Sequence, residues 1–157
     1  MVAYNFKKKF AYPVTQGYKV QTIRAPRKNG HVKAGGAIQL YTGMRTSNCE
    51  KLVNPDPICK AVFSIDIKGH GDVLIDRCPL TLEQIRQLAL ADGFIDTIPG
   101  LGESGPTINA ETHMIEFFAD KLPCLGFSLI YWGPDKWWDV LDFLPDLVIE
   151  NHDRLAT

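Results

Sequence analysis

Apolar and polar residues alternate most cleanly over residues 58–68. Cys59, Ala61, Phe63, Ile65 and Ile67 fall on one side there, and Lys60, Ser64, Asp66 and Lys68 on the other. A period of two puts these sets on opposite faces of a strand with one buried side. Asn54-Pro55-Asp56-Pro57 breaks the chain just before it. Residues 19–24 read as extended, with β-branched Val20, Thr22 and Ile23 following a turn at Gly17. Residues 37–42 alternate around Ile38 and Leu40, and Gly69-His70-Gly71 turns into a short strand over 72–75. Residues 125–132 are apolar enough for a last, buried strand. The period changes to helical at Leu82, Ile85, Leu88 and Ala89. Thr81 and Gln84 form a capping-box pair ahead of that stripe, and Gly93 supplies its C-terminal stop. Asn109 starts a second helix through Phe118, with Met114, Ile115, Phe117 and Phe118 toward the core.

Two segments punctuate this order. Residues 26–36 are a basic loop with turns at Asn29-Gly30 and Gly35-Gly36, and residues 99–106 are rich in Gly and Pro. After Gly133-Pro134, Trp137, Leu141 and Leu144 recur at i, i+4 and i+7, and Pro145 interrupts the helix they predict. Short strands with helices between them, and no regular βαβ rhythm, predict an α+β, mainly β fold. The expected form is a small barrel with helical insertions over residues 5–132, carrying a C-terminal helical extension over 133–157. The extension holds six acids against Lys136 and Arg154. Its apolar stripe serves either packing on the barrel or a homodimer interface.

The chain has 157 residues, the size of one domain, with a net charge of −1. That balance hides an asymmetry. Residues 1–60 hold eleven Lys or Arg against Glu50 and Asp56, whereas residues 61–157 hold six against sixteen acids. The first part suits an anionic partner, unless the two parts neutralise each other in the fold. No apolar run reaches the roughly 18 residues needed to span a bilayer. The segment from Met1 to Phe10 has lysines but no apolar core or cleavage site of a secretory signal. A cytoplasmic protein without a membrane partner is expected. Cys49, Cys59, Cys78 and Cys124 form no C-x-x-C pair and are expected to be reduced and mostly packed. His31, His70, His113 and His152 lack ligand spacing, so neither a metal nor another cofactor is expected. Gly100 to Gly105 lacks the Lys-Ser/Thr of a phosphate loop.

The run Gly17-Tyr18-Lys19-Val20-Gln21-Thr22-Ile23-Arg24 resembles the signature of ASCH domains, which are similar to the PUA-like RNA-binding barrels. That signature is a glycine, a lysine two residues on, a Glu or Thr three beyond it, and an arginine two beyond that. The turn glycine and strand that follow in the family resemble Lys33 to Tyr41, where Gly36 stands in place of the usual acid. Ala91-Asp92-Gly93-Phe94, the helix near Ala110 to Phe118 and the last strand keep the family's order. The resemblance covers roughly residues 5–132. It implies a cleft for RNA or a modified nucleobase or nucleoside. Some members look like amidohydrolases acting on N4-acetylcytidine, and others are linked to RNA cleavage. In the amidohydrolase form, Lys19 would activate Thr22 for attack on the acetyl carbonyl. Asp92, one methylene shorter than the family's glutamate, would protonate the leaving amine.

The spacing itself bears on this chemistry. Thr22 and Arg24 share one face of a strand, and Lys19 reaches that face only through a turn at Gly17. An ammonium, a hydroxyl and a planar guanidinium then converge. Asp92 sits near a helix C-terminus, which is unfavourable for an acid with only a solvation role. Tyr18, Arg24, Arg27, Lys28, Lys33, Tyr41 and Arg45 make the best nucleic-acid surface, since arginines contact phosphates and aromatics stack on unpaired bases. The plain alternative for that stretch is a solvated loop.

Overall fold

A computed structural model describes residues 2–97 and 108–134. The fold is mixed α+β with mostly strands, arranged as two sheets. The first sheet has the order β1-β3-β4, with β1 at Val2–Phe6, β3 at Ile38–Thr42 and β4 at Glu50–Lys51. The second has the order β2-β8-β5-β6-β7, with β2 at Gln21–Arg24, β5 at Ala61–Gly69, β6 at Asp72–Ile75, β7 at Cys78–Pro79 and β8 at Cys124–Tyr131. The β1–β3 pair is parallel and the other pairs are antiparallel. A short helix α1 (Ala11–Thr15) follows β1, and α2 (Leu82–Ala91) and α3 (Ala110–Phe117) lie between β7 and β8.

The two sheets meet along one side. Residues just ahead of β3 and β5 pair there, with Cys59 N donating to Gly36 O at 2.8 Å and Ile38 N to Pro57 O at 3.0 Å. On the other side β1 and β2 are joined by a side chain, the Arg24 guanidinium donating to Asn5 O at 2.8 Å. The described strands therefore form no closed barrel. The inner faces carry the core predicted from the alternation, with Cys59, Ala61, Phe63, Ile65 and Ile67 all buried against Ile38, Leu40 and Leu129. Each of the Phe, Ile and Leu side chains among them contributes about 1.5–3 kcal/mol by leaving water.

The local signals in the sequence map onto real caps. Thr81 Oγ1 accepts from Gln84 N at 3.2 Å, and Gln84 Oε1 accepts from Thr81 N at 2.7 Å, completing the capping box. Asn109 caps α3 through Thr112 N. β1, α1, β4 and β7 were not foreseen. All four cysteines are free, but only Cys59 and Cys124 are buried; Cys49 and Cys78 are exposed, contrary to mostly packed thiols. No helix among the described residues is long and apolar enough to cross a membrane. The Gly- and Pro-rich loop and the acidic C-terminal helix expected from the sequence lie outside the described residues, as does the homodimer surface assigned to that helix.

One electrostatic tie fixes α3 against α2. Arg86 holds Asp96 through two bonds of 2.9 and 2.7 Å and reaches Glu111 at 3.2 Å. Asp96 Oδ1 also accepts from Ala110 N at the start of α3. These partners, Arg86 first, lower the Asp96 carboxyl to about 2. A carboxyl depressed in the folded state stabilises it above the unfolded value near 4 and loses that stabilisation as pH falls toward the folded value. The melting temperature should therefore drop between pH 4 and pH 2 less steeply in Asp96→Asn, which keeps the acceptor for Ala110, than in the wild type. Parallel pH profiles of the two proteins in thermal melts would show the tie to be irrelevant.

Candidate functional site

The turn after α1 determines where the lysine of the signature goes. Gly17 adopts φ +78°, and Pro13 O accepts from both Tyr18 N and Lys19 N, at 2.9 and 3.0 Å. The chain then enters β2 with Val20 N bonded to Ala91 O at the end of α2. Lys19 is thereby brought under the C-terminus of α2, and it is only 2% exposed. Its stem lies on Gly93, which has φ +91° and where an added Cβ would sit 3.0 Å from Lys19 Cβ. Both the backbone angle and the close approach call for glycine at that position.

The ammonium finds its partners there. Lys19 Nζ donates to Asp92 O at 2.6 Å and lies 3.4 Å from Asp92 Oδ2. A cation at a helix C-terminus meets both free carbonyls and the negative end of the helix dipole. The rings of Phe10 and Phe6 lie 4.8 and 5.6 Å from the ammonium and replace part of its lost hydration. Burial pulls the Lys19 ammonium below its ordinary value, while Asp92 opposes the shift. Burial likewise pushes the Asp92 carboxyl up, against the pull of Lys19.

Gln21, missed in the sequence reading, completes this buried polar group. It is fully buried and comes within hydrogen-bonding reach of the Asp92 carboxyl. Its Nε2 donates to Leu88 O at 3.4 Å, and Gln21 Oε1 and Asp92 Oδ1 are left without a protein partner.

Thr22 and Arg24 share a face of β2, as the alternation predicts. Arg24 Nε donates to Thr22 Oγ1 at 2.9 Å, and its guanidinium lies 4.8 Å from the Phe6 ring and 5.4 Å from Tyr4. Lys19, Thr22, Arg24 and Asp92 all line one cleft of about 280 Å³. Its walls are Phe6, Phe10, Phe117, Phe118 and Phe127, and Lys7 and Lys121 are at its edge. The arrangement offers a fork of donors, a hydroxyl and a carboxyl to a ligand edge, and aromatic surface to its faces.

The remaining predicted residues do not line this cleft. Arg27 lies 5.2 Å from the Tyr4 ring, within the loop that His31 ties down through Tyr4 Oη and Ala25 O. Tyr18 is exposed and paired with Tyr12 at 6.3 Å. Lys28, Lys33 and Arg45 are exposed, and Tyr41 is half-buried beside β4. Arg45 sits in a turn tied to the cleft wall by Met44 N donating to Asn5 Oδ1 at 3.0 Å. These side chains stand apart because the basic stretch is a surface loop, whereas the cleft is assembled from β1, β2 and the ends of α2 and α3. The aromatic wall was missed; the bracketing of Lys7 to Lys9 by Phe6 and Phe10 was the available signal. Among the described residues, no group of three His, Cys, Asp or Glu is placed to hold a metal ion.

No family model matches the chain, and no curated protein or solved structure matches it either.

Removing one member of a buried ion pair strands the other, at a cost of about 3–5 kcal/mol, whereas removing both costs far less. Lys19→Met and Asp92→Asn should each lower stability in urea denaturation, and the double variant should recover much of the combined loss. Additive losses would show that the two residues do not act as a pair.

Proposed function

We propose that this chain is an ASCH-type domain whose two sheets form an opened PUA-like barrel, and that its cleft binds RNA or a modified nucleobase or nucleoside. The observation that carries this reading is the cleft itself, with a polar floor of Lys19, Thr22, Arg24 and Asp92 beneath aromatic walls. Small-molecule sites are apolar clefts with a few converging polar groups, and about 300 Å³ is the lower end of their range. A single planar heterocycle suits that volume. Its edge would meet the Arg24 fork, the Thr22 hydroxyl and the Asp92 carboxyl, and its faces the phenylalanines. Unpaired RNA bases are recognised by this combination of stacking and edge hydrogen bonds. The signature from Gly17 to Arg24 supports the family assignment, and a cytoplasmic setting belongs to the same proposal.

A second reading, amidohydrolase action on N4-acetylcytidine-like substrates, is favoured by the buried Lys19 and Asp92. In that route the shared proton of the pair would rest on Asp92, leaving Lys19 as the base and Asp92 as the proton donor, and burial moves the two groups in those directions, Lys19 down and Asp92 up. Thr22 would attack the acetyl carbonyl while Lys19 takes its proton. Asp92 would protonate the departing amine, and water would then release acetate from Thr22. This route requires Lys19 to exchange its bond to Asp92 O for one to Thr22, whose hydroxyl Arg24 holds at 2.9 Å.

Calorimetric titration with RNA oligomers, cytidine and N4-acetylcytidine at low and moderate salt tests both. Binding is expected for at least one ligand class, weakened about tenfold or more in Arg24→Ala through loss of a charged hydrogen bond. Oligomer binding should also weaken with salt. Absence of binding to every ligand at low salt would overturn the proposal. Acetate release lost in Thr22→Ala would establish the enzymatic reading, and shortening of the RNA would point to the nuclease members of the family.

A further inference from the structure

A second, more open groove of about 500 Å³ adjoins the cleft. Phe10 and Phe117 line both cavities, and their rings, 5.5 Å apart and edge to face, form the partition between them. Phe94 and the exposed Ile95 provide apolar surface in the groove. Thr97 and His113 provide a polar edge, hydrogen-bonded to each other at 2.6 Å.

Two lysines flank the partition. Lys7 lines the cleft and Lys9 lines the groove, and their ammonium groups lie 5.0 and 4.9 Å from the centre of the same Phe117 ring. Lys9 is also 5.0 Å from the centre of Phe10. Both lysines are exposed, and among the described residues neither has an acidic partner at ion-pair distance. Ring faces attract the two cations but do not neutralise them. Two cations without an acidic partner, one in the lining of each cavity, attract an anion that crosses from one to the other. The acid of the groove, Glu116, is 3.9 Å from His113 Nδ1.

We propose that cleft and groove take two successive nucleotides of one RNA strand, one base in each, with the connecting phosphate crossing the Phe10–Phe117 partition at Lys7 and Lys9. This inference rests on the reading of the cleft as a base-binding site and narrows it: the ligand class is single-stranded RNA with a dinucleotide as its smallest full unit. Single-strand binders combine these elements, a cationic track for the backbone and aromatic surfaces for successive bases. The rings that wall the two cavities and the pair of ammonium groups at their boundary supply both. The acidic Glu116 keeps the groove itself from offering a second phosphate site.

The experiment compares a nucleoside, the corresponding 3′,5′-dinucleotide and the same dinucleotide with an uncharged methylphosphonate linkage, titrated at low salt into the full chain. The dinucleotide is expected to bind roughly tenfold or more tighter than the nucleoside, the range that one further stacked base contributes. The uncharged linkage should forfeit a large part of that gain. In the Lys7→Ala/Lys9→Ala double variant the charged and uncharged dinucleotides should bind equally. If the nucleoside binds but the dinucleotide is no tighter, or if the uncharged linkage costs nothing in the wild type, the two-nucleotide arrangement is wrong while the base-binding cleft stands. If none of the three binds, both fall.

Discussion

The ammonium of Lys19 cannot sit where it does without the C-terminus of α2. Buried at 2% exposure, it depends on the Asp92 carbonyl at 2.6 Å, the Asp92 carboxylate at 3.4 Å and the faces of two phenylalanines. Desolvation alone would neutralise it. That one constraint connects distant parts of the chain. It requires Gly17 to turn the chain after α1 and Gly93 to leave room for the lysine stem. It also puts Asp92 at the helix end, where its charge would be disfavoured without a cation beside it. Thr22 and Arg24 follow on β2 in the register that this anchoring sets, and the cleft opens above them.

The same constraint explains why the site is polar below and aromatic around. Hydrogen-bonding groups in a low-dielectric cleft hold each other strongly, and any left unpaired are costly. Gln21 Oε1 and Asp92 Oδ1 are such groups.

Much of this was legible in the sequence wherever the signal was local. The Thr81–Gln84 box, Gly93 and the alternation leading to Ile67 report short-range geometry, and the structure keeps each of them. The convergence of Lys19, Thr22 and Arg24 was legible because they lie within six residues and Gly17 announces the turn. Asp92 was reached only through the family resemblance, being 73 residues away from Lys19. The phenylalanine walls were not legible as a set, since Phe6, the Phe117–Phe118 pair and Phe127 belong to three segments joined only by tertiary packing. Nor was β1, a five-residue strand next to a lysine run, whose pairing with β3 is parallel and non-local. The basic loop is a separate surface: a dense charge run marks a solvated face as readily as a binding site, and Lys28 and Lys33 are exposed and do not line the cleft.

The central claim is that a ligand base enters the cleft above the Lys19–Asp92 pair. Amide and side-chain NMR shifts recorded during titration with the tightest-binding RNA fragment or nucleoside test it most directly. The account predicts the largest changes at Lys19, Gln21, Thr22, Arg24 and Asp92, with ring-current shifts among the wall phenylalanines. Changes confined to the basic loop over residues 26–36, with the cleft resonances unmoved, would contradict it.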